Sequence, residues 1–355
     1  MGQIFSSASN AFYKQLDEAT VTCLELLPKA QQAGGPDTVV CVQADTKISD
    51  TMVKALACGD ISSVLVMDHH QQPLGFFDWA DAVSFTCFTL DVDELRAPML
   101  DAGHEGAAAA AARHQRIRER LVETNVRSVV DFSNRDPVRK LPMRSSALDA
   151  ARLFKDGIHR VLLTDDEGRP RGVLAQSDLC KYLYHHLFLP SVKLVSEKSV
   201  SEVGVGRKRH VFHALASATL RHCIEVMHCN KVSGVAIVDA AGTVQGNFSA
   251  TDLGPLFLHM ARAAKSHSAP LSAPASRSAA DSRLDELMFD MPVGEYLALV
   301  SPQSLEPITL HEKSTVDEAI TKLMTSHVHR AYLVDESAKP IGLVDLTDLV
   351  SVIFK

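Results

Sequence analysis

The amino-acid sequence predicts an α/β protein made of four copies of one helix–strand–strand–helix unit. The first observation is a recurring spacing, with Asp seven, Gly fourteen and a second Asp twenty residues after an apolar origin. The origins and their followers are Ile61 with Asp68, Gly75 and Asp81; Ile158 with Asp165, Gly172 and Asp178; Val232 with Asp239, Gly246 and Asp252; and Val328 with Asp335, Gly342 and Asp348. The second observation is that each copy shows helix-type and strand-type periodicity in the same order. Chance composition does not keep four registers without a gap, so the repeats define the fold.

The second copy shows why each element is expected. Its segment SSALDAARLF, residues 145–154, begins with Ser and carries apolar residues at helical spacing, which predicts an amphipathic helix. HRVLLT is a β-branched and Leu-rich run, DDEGRP has the composition of a hairpin turn, and RGVLA is the return strand. SDLCKYLYHHLF then predicts a second helix with Ser177 and Asp178 at its cap and first turn. The other three copies follow the same order.

The composition is that of a soluble globular protein, with 46% hydrophobic and 22% charged residues in a chain of 355. A net charge of −7 argues against nucleic acid as a partner, because neutralising phosphates needs an excess of Lys and Arg. The seven cysteines form no CxxC pair, and there is neither a signal-peptide pattern nor a run of about 18 apolar residues. We therefore expect reduced thiols and a cytoplasmic protein, with peripheral-membrane and nuclear locations as open alternatives.

The N-terminal sequence MGQIFSSASN fits the N-myristoylation pattern, with Gly2 as the acylated residue and Ser6 at the required place. The alternative is a frayed terminus without modification. One myristoyl chain gives only marginal membrane binding, and no polybasic stretch follows it. The sequence thus predicts Gly2 as a lipidation site and a weak membrane association that would need a partner.

The spacing of the copies predicts how they group. The four origins are separated by 97, 74 and 96 residues, so copies one and two are expected to form one module and copies three and four a second. GHEGAAAAAARHQRIRERLVE predicts an Ala-rich helix, and the Ser/Ala/Pro-rich AAKSHSAPLSAPASRSAADS predicts disorder. The expected divisions are an N-terminal extension at 1–36, repeat 1 at 37–102, a helical insertion at 103–123, repeat 2 at 124–190, repeat 3 at 191–262, a disordered linker at 263–283 and repeat 4 at 284–355.

A repeat of about sixty residues that ends in apolar-Gly-apolar-apolar-x-x-x-Asp resembles the CBS domain. Four copies, together with the segments KSVSEVGVG, CNKVSGVAIVD, LHEKSTVDEAI and HVHRAYLVD, resemble the gamma regulatory subunit of AMP-activated protein kinase. The resemblance implies two Bateman-type modules forming a disc, with AMP, ADP and ATP as regulatory ligands and no cofactor. It also implies an energy-sensing, non-catalytic role beside a protein kinase catalytic subunit and a beta-type scaffold subunit. The alternative is a CBS-fold interaction scaffold that no longer binds nucleotide.

The second repeated Asp is the first candidate binding residue, present as Asp81, Asp178, Asp252 and Asp348. A carboxylate can accept hydrogen bonds from both hydroxyls of a ribose diol. The CBS resemblance implies that this Asp is the ribose contact. An Asp in the first turn of a helix also stabilises the helix dipole without any ligand, so the residue type alone leaves both interpretations open.

Two His-Arg pairs, His159-Arg160 and His329-Arg330, are the candidate phosphate contacts. The guanidinium fork suits phosphate oxygens, and the neighbouring His adds a donor. A strand end that meets solvent or an acidic partner would carry the same residues without a ligand. In the gamma family, residues of this kind converge on nucleotide phosphates at the centre of the disc, and the resemblance implies the same arrangement here.

Hydroxyl groups distinguish the four candidate sites. The family often has Ser or Thr three residues after the repeated Gly, and only the third copy keeps it, as Ser249. The residues at this position in the other copies are Asp78, Ala175 and Asp345. The substitute hydroxyls, each just before the second Asp, are Ser177, Thr251 and Thr347.

These differences rank the candidate nucleotide sites. The third copy comes first, because Ser249, Thr251 and Asp252 are all in place. The fourth copy comes second and should prefer AMP over ATP, because the Asp345 carboxylate repels additional phosphate charge. The first copy should be the weakest, since Ser62 stands where the family has an Arg.

Other site classes have little support in the sequence. It contains no GxxxxGK[ST], GxGxxG, HExxH or GxSxG motif, so no enzyme is predicted. In RHCIEVMHCN, His222 and His228 are six residues apart, which does not stack them on one helix face, so no metal site is predicted. Trp79 is expected to pack in the core, with base stacking as the alternative, and the repeated Gly to mark close strand approach or turn geometry.

Overall fold

The structure is a computed structural model of the chain, and it describes residues 21–27, 39–54, 63–89, 107–206, 210–266 and 288–354. The predicted lipidation site Gly2 and the residue Ser62 lie outside these ranges, as does most of the predicted linker 263–283. In the ranges that the structure describes, no helix has the length and apolar character that a membrane span requires.

Four three-stranded sheets form the framework, one in each repeat. In each sheet a short first strand pairs parallel with the second, which pairs antiparallel with the third. The strands are β1 (Cys41–Gln43), β2 (Ser63–Met67), β3 (Pro73–Asp78), β4 (Lys140–Pro142), β5 (Arg160–Thr164), β6 (Pro170–Ala175), β7 (His213–Leu215), β8 (Gly234–Val238), β9 (Val244–Ser249), β10 (Thr309–Leu310), β11 (Arg330–Val334) and β12 (Pro340–Asp345). The sequence predicted the hairpin strands but missed the first strand of each sheet, which is too short to show an alternating pattern.

Helices flank each hairpin, as predicted. They are α1 (Cys23–Leu26), α2 (Ile48–Lys54), α3 (Trp79–Thr89), α4 (Ala107–Glu123), α5 (Ala147–Lys155), α6 (Gln176–His185), α7 (Pro190–Ser196), α8 (Val200–Val203), α9 (Leu220–Cys229), α10 (Gly254–Ser266), α11 (Val293–Val300), α12 (Val316–Thr325) and α13 (Leu346–Ile353). Short 3₁₀ helices cover Val126–Val129, Ala250–Leu253, Met288–Asp290 and Pro302–Leu305. The Ala-rich prediction for 103–123 therefore corresponds to α4, and α10 runs to Ser266, beyond the predicted start of the linker.

Side-chain caps fix where several helices begin. The hydroxyl of Ser146 accepts a hydrogen bond from the backbone of Asp149, and Thr219 and Thr315 do the same ahead of α9 and α12. The predicted cap of α6 is wrong by two residues. The N-cap residue is Ala175, whose side chain has no hydrogen-bond acceptor, and Ser177 already lies inside the helix.

The first repeated Asp organises the hairpin turn in every copy. In repeat 4, Oδ1 of Asp335 accepts hydrogen bonds from the backbone N–H groups of Ser337 and Lys339, both at 2.9 Å. The same pair of contacts is made by Asp68, Asp165 and Asp239. Three residues after each Asp the backbone is left-handed, at Gln71, Gly168, Gly242 and Ala338. This spacing is therefore a turn motif, which explains its recurrence without a ligand.

The repeated Gly marks a close approach, as predicted, in both odd-numbered repeats. A Cβ on Gly75 would overlap Cγ1 of Val130, and one on Gly246 would lie 2.6 Å from the carbonyl oxygen of Ser304. In each module the segment that leads into the even-numbered repeat crosses the odd-numbered hairpin at this point. These crossings bring residues 130–136 and 301–306 beside the ends of β3 and β9.

Sheets join the repeats within a module. In the first module, Leu65 and Phe76 of repeat 1 lie in one apolar cluster with Leu162 of repeat 2. In the second module, Ala236 of repeat 3 lies in a cluster with Tyr332 of repeat 4. The predicted pairing of copies one with two and three with four is thus the sheet-to-sheet pairing.

Helices join the two modules through two larger cores. One contains Met52 of repeat 1 and Phe257 of repeat 3, with Trp79 stacked on Phe257 at a ring-centroid distance of 6.2 Å. The other contains Phe154 of repeat 2 and Ile320 of repeat 4. Repeat 1 therefore contacts repeats 2 and 3, and repeat 4 does likewise, which closes the four repeats into the expected disc. The core position of Trp79 confirms its predicted packing role.

Candidate functional site

The second repeated Asp caps a helix in every copy. One carboxylate oxygen accepts a hydrogen bond from the backbone N–H three residues earlier, at 2.8 Å for Asp178 and Asp252, 3.0 Å for Asp81 and 3.1 Å for Asp348. This contact stabilises the first turn of the following helix, as the dipole interpretation of the sequence anticipated. It occupies one oxygen of each carboxylate, so any ligand contact depends on what the other oxygen meets.

In repeat 3 the hydrogen bonds of this carboxylate are complete. Asp252 accepts from the backbone and the hydroxyl of Ser249, the latter at 2.6 Å, and its other oxygen accepts from the hydroxyl of Ser304 at 2.7 Å. Ser304 belongs to the segment that leads into repeat 4. The predicted pair Ser249 and Asp252 is therefore held together, and two of the three donors it meets are hydroxyls.

In repeat 1 the carboxylate is closed off from solvent. Asp81 is 3% exposed and accepts hydrogen bonds from the backbone N–H groups of Asp78 and Ser133, at 3.0 and 2.9 Å. Burial, followed by the nearby Asp78 carboxylate, raises the pKa of Asp81 to about 8. This side chain is consequently a neutral acid over much of the neutral range.

Repeats 2 and 4 differ from this pattern. Asp178 is half-buried, its second oxygen meets no donor among the described residues, and burial raises its pKa to about 6. Thr347 contacts Nε2 of Gln176 at 3.1 Å, across the interface of repeats 2 and 4, and so belongs to the contact between modules. In repeat 3, the predicted hydroxyl residue Thr251 is exposed on the 3₁₀ helix Ala250–Leu253.

The first His-Arg pair is engaged by carboxylates. Nη2 of Arg160 donates to Asp78 at 2.9 Å and lies 3.2 Å from Asp136, while Nδ1 of His159 lies 2.8 Å from Asp136. The side chains of Arg160, Asp78 and Asp136 are 10–13% exposed. The hydrogen bond from His159 and the charge of Arg160 outweigh burial and lower the pKa of Asp136 to about 2. Arg160 thus joins repeats 1 and 2 through buried ion pairs.

The second His-Arg pair meets no carboxylate among the described residues. Arg330 donates from Nη2 to the hydroxyl of Ser233 in repeat 3. The side chain of His329 is solvent-exposed, yet desolvation by the surrounding atoms, together with the charges of Arg330, Arg160 and His159, lowers its pKa to about 4. Because the charges of Arg160 and His159 act on His329, the two pairs lie within electrostatic range of each other, although they come from different modules.

A further basic residue, Arg135, lies at the same place and was missed by the sequence analysis. Its pKa is lowered chiefly by burial; Asp78 and Asp136 oppose this, and Arg330 and Arg160 add to it. Its guanidinium has no hydrogen-bond partner in the part of the chain that the structure describes. Arg135 lies between two copies and occupies no repeated position, so no pattern could have revealed it.

The strand register also corrects one equivalence between the copies. Arg160, Gly234 and Arg330 each begin the first strand of the hairpin and pair with its last residue. The residue in repeat 1 with that register is Ser63, which pairs with Asp78. In repeat 1 the residue equivalent to Arg160 and Arg330 is therefore Ser63, one residue later than the predicted Ser62.

A cavity of about 430 Å³ opens between repeats 1 and 3 next to this basic cluster. Arg135, His228 and Lys231 line it together with the apolar side chains Phe132 and Met227. Ser233, whose hydroxyl accepts the hydrogen bond from Arg330, also lines the cavity. Ala80 and Ser133, which line it as well, are the chain neighbour and a hydrogen-bond partner of Asp81. The cavity combines cationic and apolar walls, which suits an anion that carries an aromatic group.

No group of three or more metal-ligating side chains occurs among the described residues. A family model for the CBS domain matches residues 119–185 and 299–355, which contain the hairpins of repeats 2 and 4. The same strand order and registers recur in repeats 1 and 3. The fold is that of four CBS repeats.

Two curated relatives illustrate what this chain is similar to. "Protein sds23" of Neosartorya fischeri is 24% identical over 223 residues, which cover 61% of this chain and 40% of the relative. The "SNF1-related protein kinase regulatory subunit gamma-like PV42a" of Arabidopsis thaliana is 26% identical over 239 residues, covering 58% of this chain and 60% of that protein. The chain therefore spans about two fifths of the fungal relative's length.

A solved structure confirms the architecture. A Methanocaldococcus jannaschii protein, proposed as an archaeal homologue of the AMP-activated protein kinase gamma subunit, superposes with a TM-score of 0.61. The match covers 91% of this chain and 99% of the archaeal chain at 15% sequence identity. The predicted arrangement of four CBS repeats is thus a known fold.

Proposed function

We propose that this protein is an adenine-nucleotide-binding regulatory subunit, gamma-like, of a heterotrimeric serine/threonine protein kinase. The observation that carries the proposal is that Arg330, of the second module, donates to Ser233 on the wall of the cavity that Arg135 also lines, within electrostatic range of Arg160. Like charges repel, so such a cluster is stable only with carboxylates or a bound anion beside it. Asp78 and Asp136 supply ion-pairing carboxylates to the first pair and also act electrostatically on Arg135, whereas Arg330 has no ion pair among the described residues.

Three side chains of the cluster, Arg330, Arg135 and His329, make no ion pair among the described residues. Their chemistry favours a phosphate ester as the ligand. Arg330 presents a planar fork, and Arg135 adds a second guanidinium without a hydrogen-bond partner among the described residues. His329 has its pKa lowered to about 4, so it is neutral at pH 7 and contributes a hydrogen bond rather than a charge. The neighbouring apolar wall of Phe132 and Met227 offers packing for a base.

The partner assignment rests on the relatives. The Arabidopsis protein is named as a gamma-like regulatory subunit of a protein kinase, and the archaeal structure as a homologue of the gamma subunit. A kinase catalytic subunit and a beta-type scaffold subunit, met in the cytoplasm, are therefore the proposed partners. Nucleotide binding at the disc centre would change the module surfaces that hold the kinase, which couples the two sites.

A CBS-fold scaffold without nucleotide binding is the second candidate function. It is favoured by the closed hydrogen bonds of Asp81 and Asp252 and by the ion pairs of Arg160. In that case the four carboxylates act only as helix caps, and the basic cluster supports interfaces between the repeats.

Equilibrium binding of AMP, ADP and ATP to the purified chain separates the two functions. We expect saturable binding of AMP that Arg330→Gln weakens about tenfold or more, since a charge-assisted contact contributes about 1.5–3 kcal/mol. Arg144→Gln is the matched control, because the side chain of Arg144 is 87% exposed and its one ion pair among the described residues is with the exposed Asp166. Absence of binding at millimolar nucleotide would leave the scaffold function.

A further inference from the structure

The two modules hold equivalent arginines with different partners. Arg160 begins β5 and Arg330 begins β11, and each pairs with the last residue of its own hairpin. The Arg160 guanidinium lies between two carboxylates, those of Asp78 and Asp136. The Arg330 guanidinium instead meets one neutral hydroxyl.

The difference can be traced to the residue that ends the odd-numbered hairpin. Asp78 ends β3 opposite Ser63, and Ser249 ends β9 opposite Gly234, so Asp78 and Ser249 are equivalent. Asp78 both caps α3 and accepts from Arg160. Ser249 also precedes a helical turn, but its hydroxyl donates to Asp252 and brings no charge to Arg330.

The carboxylates that pair with Arg160 disfavour the binding of an external anion at its guanidinium. They neutralise the guanidinium, and a phosphate brought beside it would face two like charges. The other terminal nitrogen, Nη1, is buried and has no partner in the described residues, so it is not presented to solvent. His159 is also tied to Asp136 at 2.8 Å.

We propose that Asp78 and Asp136 occupy the phosphate position of the first module with their own carboxylates, so that the chain binds one nucleoside monophosphate, through Arg330. This inference rests on the proposed nucleotide binding and adds its stoichiometry and the residues that set it. The first module then has a structural role, because its arginine joins repeats 1 and 2.

Removing the two carboxylates tests the inference. Asp78→Ser gives the first module the residue found in the second and keeps a good helix cap. Asp136→Asn keeps the size of the side chain and its hydrogen-bonding capacity. Stoichiometry is measured by equilibrium dialysis with labelled AMP, and folding by near-ultraviolet circular dichroism. We expect about one AMP per native chain and about two in the double variant, with the added AMP lost when Arg160→Gln is introduced.

The outcomes distinguish this inference from the proposed function. Two AMP per native chain, or an unchanged stoichiometry of one in the folded double variant, would overturn the inference while nucleotide binding stands. If the native chain binds no AMP, the proposed function fails, and so does the stoichiometry of one. An Arg160-dependent AMP gained by the double variant would then still support the exclusion of phosphate by Asp78 and Asp136. The absence of such a gain would overturn it. If the double variant does not fold, Asp78→Ser alone decides by the same criterion.

Discussion

The guanidinium of Arg330 packs against the backbone of Gly234, in the space that a Cβ atom on Gly234 would occupy. A Cβ on Gly234 would be 2.6 Å from Nη1 of Arg330 and 2.7 Å from the carbonyl oxygen of Phe248. Gly234 has in repeat 3 the strand position that Arg330 has in repeat 4. One repeat of the second module therefore supplies the guanidinium, and the other supplies the space that it fills.

Adding a methyl group at Gly234 should disturb both the fold and the basic cluster. We expect Gly234→Ala to lower the free energy of unfolding by about 1–3 kcal/mol, as overpacking does, and to weaken AMP binding by moving Arg330. Urea unfolding and equilibrium dialysis measure the two effects. In an Arg330→Ala background the same substitution should cost less stability; an equal cost would show that Phe248 alone sets the limit.

The ion pairs of Arg160 should matter more for stability than exposed ones. Arg160→Ala leaves Asp78 and Asp136 buried without their cation, and breaking such a pair costs about 3–5 kcal/mol. Arg152→Ala is the matched control, since Arg152 pairs with Asp149 at 3.1 Å on an exposed surface, where pairs contribute about 0–1 kcal/mol. Equal losses in urea unfolding would contradict the structural role of Arg160.

The buried acid Asp81 predicts how stability changes with pH. Its pKa is about 8 in the fold against an ordinary 3.8, so the native state keeps this proton to higher pH than the unfolded chain does. The associated stability is complete below about pH 4 and is lost as pH rises to about 8. Asp81→Asn should remove this fall between pH 5 and 8 in urea midpoints; parallel curves for variant and native protein would show that Asp81 titrates normally.

The hairpin turns contain two positions where glycine should be better than the native residue. Ala338 has a φ of 56° and Gln71 a φ of 59°, whereas Gly242 fills the equivalent position in repeat 3. Left-handed backbone is costly for a residue with a Cβ, so Ala338→Gly should stabilise the protein by about 0.5–1 kcal/mol. Gly242→Ala should destabilise it to a similar extent. Thermal unfolding compares the two, and a shift in the same direction would contradict the turn argument.

The sequence predicted features that local spacing encodes. The repeats, the hairpins, the flanking helices and the packing of Trp79 all follow from periodicity and composition, and the structure confirms them. The short first strands escaped prediction because parallel pairing with a distant partner leaves no mark on two or three residues. The same holds for the site: nothing local indicates that Arg160 meets Asp78, 82 positions away, or that Arg135 joins the cluster.

The choice between the carboxylates of repeats 1 and 3 gives the last prediction. Asp252 accepts hydrogen bonds from the hydroxyls of Ser249 and Ser304, the type of donor that a ribose diol offers, whereas Asp81 accepts from backbone N–H groups. Asp81 is also a neutral acid near pH 7 and lies in the module whose arginine is ion-paired. We therefore expect Asp252→Ala to weaken AMP binding about tenfold or more, and Asp81→Ala to change it little. Ser304→Ala removes the hydroxyl that competes with ribose and should leave AMP binding equal or tighter. Equal losses for the two Asp variants, or a larger loss for Asp81→Ala, would show that Asp252 serves its helix and not a ligand.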